Sequence, residues 1–173
     1  MTMIDITLTE GAISPKKLEE LAENLSTALI KGEGAPDNEY TRSLTWCFVD
    51  QRPKNAIFVG GPVSEKPRYR ITLTVPVGAP LIYGPLRKGE RKDLCNEATK
   101  LVLDAEGADH SFENLSRVWV QIREISEGYW GAFGDIAEMN DIATFVMGEP
   151  AIGHRTDVAT EWRAQYDAFK AQR

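Results

Sequence analysis

Met3-Ile4-Asp5-Ile6-Thr7-Leu8-Thr9-Glu10-Gly11-Ala12-Ile13-Ser14-Pro15 sets out a strand, a turn and a helix start in thirteen residues. Ile4, Ile6 and Leu8 alternate with Asp5, Thr7 and Thr9, the period of a strand with one buried face. Glu10-Gly11 turns the chain. Ser14 then offers a side-chain oxygen as N-cap, and Pro15 suits the first helical position, where a missing N–H costs nothing. Leu18, Leu21, Leu25, Ala28 and Leu29 follow as an apolar stripe at helical spacing, ended by Gly32 and Gly34. Ser43 to Asp50 reads as a second strand, rich in aromatic and β-branched residues. Asn55 to Gly61 reads as a short strand or hairpin arm with a glycine stop. Two strands flanking one helix in this way make a right-handed βαβ crossover with parallel pairing.

The chain then repeats itself. Glu33-Gly34-Ala35 recurs as Glu106-Gly107-Ala108, and Trp46 recurs as Trp119, both 73 residues on. Ile6-Thr7-Leu8-Thr9 recurs as Ile71-Thr72-Leu73-Thr74, only 65 residues on. The second copy therefore carries about eight extra residues between its first strand and its helix, and a repeat of this length is a supersecondary unit used twice. Its elements are a strand over 69–75, an inserted stretch over 76–89 containing Pro76, Pro80 and Pro85, a helix over 91–106, a strand over 116–125 and an arm over 128–134.

Two such units side by side predict an α+β protomer: a four-stranded sheet with two helices on one face, plus a C-terminal helix. The boundaries expected are a two-unit domain over 1–137, with unit one at 1–66 and unit two at 67–137, and an extension over 138–173. Residues 135–155 read as mostly irregular, with a turn of helix near 141–146. The last helix starts at a Thr156 cap and buries Val158, Trp162, Tyr166 and Phe169. The uncovered sheet face carries apolar residues, which predicts assembly of copies.

The bulk numbers exclude more than they assign. A net charge of −6 gives no field that favours nucleic acid or an anionic membrane. No apolar run reaches the roughly 18 residues of a membrane span. The first residues read as a strand and not as a signal peptide, so the expected compartment is the cytoplasm. Cys47 and Cys95 fall in a strand and a helix pattern, as buried thiols do. His110 and His154 are lone residues in polar loops, and no spacing suggests a metal or cofactor site.

The ordered series of strand, Glu10-Gly11 turn, Ser14-Pro15 helix start, second strand and glycine-punctuated arm resembles the tautomerase superfamily, over roughly residues 1–137. The arms Val59-Gly60-Gly61 and Gly128-Tyr129-Trp130-Gly131-Ala132-Phe133-Gly134, with Gly84-Pro85-Leu86-Arg87-Lys88-Gly89, complete it. The resemblance is to two-unit members such as cis-3-chloroacrylic acid dehalogenase and to 4-oxalocrotonate tautomerase. It implies a homotrimer, no cofactor, and a small-carboxylate pocket at the end of the first strand. In active members an amino-terminal proline, exposed when the initiator methionine is removed, serves there as base or acid.

The departures are as informative. The proline position holds Thr2, and the equivalent residue of the second copy is Pro67, whose nitrogen is an amide and no base. The family's arginine after the Glu-Gly turn is Ala12, and its second-strand arginine aligns with Thr45 and Trp119. The dehalogenase's helix histidine aligns with Leu29, its acidic residue falls near Ala132, and its tyrosine aligns with Gln121. Dehalogenation is therefore not expected. Once Met1 is removed, Thr2 offers a primary amine with an ordinary pKa of about 7.7–8.0; the other reading is a plain amino terminus. Arg87 aligns with a carboxylate-binding arginine, or belongs to a solvated cluster with Lys88, Arg91 and Lys92. Arg91 is a second candidate for that role. Arg117 and Arg123 sit at alternating strand positions where one arginine reaches a pocket or both pair on the surface. Trp130 stands where the family places an aromatic wall, or packs at a subunit interface.

The functional expectation is a tautomerase-like protein with weak isomerase activity that acts on, or binds, a small unsaturated or 2-oxo carboxylic acid, with the Thr2 amine in place of the proline. The alternative is a non-catalytic relative that binds a small carboxylate or serves as an assembly module. A third is a different pocket built from the 76–89 insertion and the C-terminal tail.

Overall fold

The computed structural model of the chain describes residues 2–77, 88–148 and 157–172, the side chains of Lys88 and Asp157 excepted. Arg87, His154 and the Thr156 cap lie outside the described residues. Unit one runs β1 (Thr2–Thr9), α1 (Pro15–Gly32), α2 (Glu39–Ser43) and β2 (Thr45–Arg52). Unit two runs β3 (Tyr69–Pro76), α3 (Lys88–Glu106), α4 (Phe112–Leu115) and β4 (Val118–Ile125). A hairpin of β5 (Gly131–Ala132) and β6 (Asp135–Ile136) follows, then α5 (Met139–Met147) and α6 (Asp157–Lys170).

The main sheet has the order β2-β1-β3-β4. Strands within each unit pair in parallel, as a βαβ crossover requires. The two units meet through an antiparallel β1–β3 ladder in which Ile6 stands opposite Ile71, its own equivalent in the repeat. An approximate dyad therefore passes between these two residues. Ile4, Ile6, Leu8, Ile71, Leu73 and Val75 point to one face and are buried there against Leu21, Leu25 and Leu29 of α1 and Ala98, Val102 and Leu103 of α3. Ser14 caps α1 by accepting a bond from the Lys17 amide. The other face carries Trp46, Phe48 and Trp119, each at least half exposed.

Several elements differ from the sequence reading. β2 starts at Thr45, because Glu39–Ser43 forms a helix capped by the Asn38 side chain, which accepts from the Thr41 amide at 2.9 Å. The first arm is an isolated bridge, Phe58 to Val63, turned by Gly60 and Gly61 at φ 64° and 116°. Those angles suit glycine and few other residues. The expected turn of helix near 141–146 is the full helix α5, whose start carries Glu138, not a Ser, Thr, Asn or Asp, as N-cap in a reciprocal pair with Asp141. On α6 Ala159 and Trp162 are buried and Tyr166 is partly buried against them, whereas Val158 and Phe169 are 40% and 50% exposed. This helix packs on α5 and Leu44, a smaller surface than the sheet offers. The Arg163 guanidinium caps the contact, 3.9 Å from the Tyr40 ring centroid.

The repeated Glu-Gly-Ala motif has diverged in its electrostatics. Glu106 takes two bonds from the buried Arg117 guanidinium, at 2.9 and 2.6 Å. Its equivalent Glu33 is buried, but the position equivalent to Arg117 is Leu44. Among the described residues Glu33 has no ion-pair partner. Burial pushes its carboxyl up to about 8.

Two outcomes follow. Arg117→Ala removes the buried partner of the partly buried Glu106 carboxylate and lowers stability by about 3 kcal/mol in urea unfolding; a loss under about 1 kcal/mol contradicts this account. For Glu33 the folded pKa lies above the ordinary 4.5, so its contribution is fully present below pH 4.5 and is lost as pH rises towards about 8. The difference is on the order of several kcal/mol. Melting temperature should fall across that window, and Glu33→Gln should flatten the fall; parallel wild-type and variant profiles would refute it.

Candidate functional site

The antiparallel ladder leaves an equivalent cavity at each end of the β1–β3 pair. The first lies where β1 begins and β3 ends, and encloses about 560 Å³. Thr2 and Asp5 reach it from β1, Thr74 from β3 and Arg123 from β4. The second arm supplies Tyr129, Trp130 and Phe133, and α6 supplies Tyr166. The second cavity lies where β3 begins and encloses about 690 Å³. The repeat relates the two: Ser43, Leu44 and Trp46 of the first correspond to Ser116, Arg117 and Trp119 of the second. Met3 and Asp5 correspond in the same way to Arg68 and Arg70.

Of the residues singled out in sequence, Thr2, Arg123 and Trp130 come together around the first cavity. Arg117 is held in the second cavity by Glu106, and Arg91 on α3 lines neither. Arg87 is outside the described residues. Thr2 is buried; its nitrogen donates to the Leu44 carbonyl at 3.0 Å and its hydroxyl to Thr45 Oγ1 at 3.2 Å. Thr2 also borders a small pocket lined by Glu33, so the proton-holding carboxyl sits close to the start of β1.

The cavity wall is apolar and its few polar groups are sharply placed. Arg123 is the cation and Asp5 the carboxylate. Thr74 is 3% exposed and its Oγ1 has no hydrogen-bond partner, so a donor or acceptor is left facing this side of the sheet. Phe133 takes a positive φ of 55°, a conformation costly for a bulky side chain. It holds there by stacking 5.4 Å from Phe145 and 5.0 Å from Trp162, which ties the arm to α5 and α6. The arrangement can bind a small anion with an apolar body through Arg123 and shield it from water behind aromatic rings.

Sequence reasoning missed Asp5, Thr74 and Tyr166. The β1 alternation places Asp5 opposite the buried Ile4 and Ile6, so that signal was present. Nothing in the α6 stripe shows that Tyr166 meets a cavity 160 residues away in the chain. Cys47 and Cys95 are free thiols, and burial pushes Cys47 up to about 11. Among the described residues no group of His, Cys, Asp or Glu is placed to hold a metal, and no helix is long and apolar enough to cross a membrane.

No family model matches the sequence, and no curated protein matches it. Solved structures do match. A protein inactivated by 2-oxo-3-pentynoate superimposes with a TM-score of 0.61 at 21% identity, over 78% of this chain and 94% of that one. N1, a member of the cis-3-chloroacrylic acid dehalogenase family, gives 0.62 at 18% identity, over 80% and 86%. A fused 4-OT, a symmetric trimer, gives 0.62 at 18%, over 79% and 96%. With the four-stranded sheet, the paired crossover helices and the arm-covered cavity at the start of β1, these likenesses show that the chain has the tautomerase-superfamily fold.

Proposed function

We propose that the first cavity binds a small 2-oxo or unsaturated carboxylic acid and that the Thr2 amine, freed by removal of Met1, moves a proton at the carbon next to its carbonyl. The observation that carries this reading is the convergence of Thr2, Arg123 and Trp130 on one cavity. In it Arg123 takes the carboxylate in a two-point grip. The Leu44 carbonyl orients the amine through the bond it already accepts from the Thr2 nitrogen. Removing a proton from carbon and returning it to the other end of the enol needs one base of this kind and a shielded site. Trp130 and Tyr129 supply the shield. The inactivation of one structural neighbour by a 2-oxo acid analogue supports this substrate class, and the trimeric fused 4-OT supports a homotrimer formed through the apolar sheet face.

A second reading, a binding module without catalysis, is favoured by one observation: the Thr2 nitrogen is an amide as long as Met1 precedes it. Intact mass separates the two. A mass lacking one methionine, with measurable phenylpyruvate tautomerisation, is the expected result. Arg123→Ala should then raise KM at least tenfold with a smaller effect on kcat, as loss of a ground-state anchor does. Retained Met1, or an activity indifferent to Arg123→Ala, overturns the catalytic reading and leaves the binding one.

A further inference from the structure

We infer, on the reading above that Thr2 is a free amino terminus, that Glu33 is a positioning residue for the Thr2 amine: its buried carboxyl binds that amine and sets how tightly it holds a proton. Glu33 ends α1 as its C-cap, its backbone N–H donating to the Leu29 carbonyl at 2.9 Å. It is 5% exposed, and Thr2 is 3% exposed. Both line a pocket of about 20 Å³ between the start of β1 and α5, room for one water. Both are enclosed by their own chain, so assembly of copies leaves them as they are.

Unit two shows what a carboxyl in this place meets. Glu106 accepts from two nitrogens of Arg117, and the Arg117 carbonyl accepts from the Tyr69 nitrogen at 3.0 Å. In unit one the same backbone bond runs from the Thr2 nitrogen to the Leu44 carbonyl, also at 3.0 Å. Thr2 is thus set against Leu44 as Tyr69 is set against Arg117. Leu44 brings no guanidinium to Glu33. Of the described residues lining the pocket, Thr2 is the one that gains a positive charge, and it does so when it becomes the amino terminus. An ammonium has three N–H donors; the Leu44 carbonyl takes one and two are left for the carboxylate.

Glu33 carries the one titratable side chain among the described residues of this pocket. The charged and titratable groups of the surrounding elements are engaged elsewhere. Asp5 of β1 faces the first cavity, Lys31 of α1 the outer groove against α3, and Cys47 of β2 the core. On α2, Tyr40 donates to Asp167, Arg42 is bound by Asp37 and Glu23, and Glu39 pairs with Lys170. Asp141 of α5 is taken up by the helix cap. At the far ends of β2 and β3, Asp50 pairs with Arg52, and Arg70 donates to Thr7. Burial raises the Glu33 carboxyl into the range where an α-amine titrates, so the two compete for one proton. A carboxylate there holds the ammonium at the edge of the first cavity, which Thr2 also lines. When Glu33 keeps the proton instead, the amine is neutral and able to act as base.

The test uses the full chain, after intact mass has shown whether Met1 is gone. Competitive acetylation of the amino terminus by acetic anhydride across a pH series, read by mass spectrometry of the first peptide, gives the titration midpoint of the Thr2 amine without recourse to activity. Glu33→Gln removes the anion and should lower that midpoint by about half a pH unit or more. Glu33→Asp should keep most of the wild-type value, and Glu33→Leu serves in place of Glu33→Gln if that variant does not fold. The rising limb of kcat/KM for phenylpyruvate should move to lower pH by the same amount in Glu33→Gln, a change that loss of a structural contact does not produce. With Met1 removed, a midpoint that stays put or rises in the Gln and Leu variants overturns the role of Glu33 and leaves the catalytic reading standing. A lowered midpoint in a protein without tautomerisation supports the Glu33 pairing and overturns the catalytic reading alone. Retained Met1 overturns both.

Discussion

Everything functional in this molecule depends on the antiparallel pairing of β1 with β3. Each βαβ unit has one apolar sheet face and one helix, too little to enclose a core by itself. Joined edge to edge with Ile6 facing Ile71, the two units present a continuous apolar row to α1 and α3 together. The same pairing runs the strands in opposite directions. The start of each unit's first strand therefore lies beside the end of the other's, and a cavity forms at both places. A parallel junction would have put both strand starts at one end of the sheet.

Duplication gave two equivalent sites, and divergence made them unlike. The clearest mark is the pair of equivalent glutamates, Glu33 and Glu106. Glu106 has Arg117 and is a settled ion pair; Glu33 has Leu44 in that place and keeps its proton to unusually high pH. A lone buried carboxyl is a liability unless it stays neutral, and it sits beside the start of β1, where a free amine would stand. The cavities diverged with the glutamates. One holds a single anchor and an aromatic cover; the other holds arginines and open aromatic faces.

The C-terminal helices belong to the first site as well as to the fold. α6 sends Tyr166 to the cavity, and α5 with Trp162 holds Phe133 in its left-handed conformation. The cost of that backbone is met by three packed rings. Unit two has its arm braced this way, while the first arm, carrying Phe58, is turned by two glycines and closed by a single bridge.

The sequence by itself determined the main strands and helices of the two units and the fact of their repetition. Strand alternation, the Ser14-Pro15 start and the 65- and 73-residue offsets are local patterns, and burial of one face enforces them whatever the rest of the chain does. The family resemblance singled out Thr2 and Trp130, and strand alternation singled out Arg123; the fold sets all three around one cavity. Only the tertiary structure decided which arginine goes where. Arg117 and Arg123 share a strand period, yet one is drawn inward by Glu106 and the other opens on a cavity. Arg68 and Arg70 carry no signal in any local pattern, and the fold sets them in one cavity with Trp119 and Phe58. A side chain's charge is written in the sequence, but its partner is chosen by contacts between segments far apart in the chain, and no local period records those.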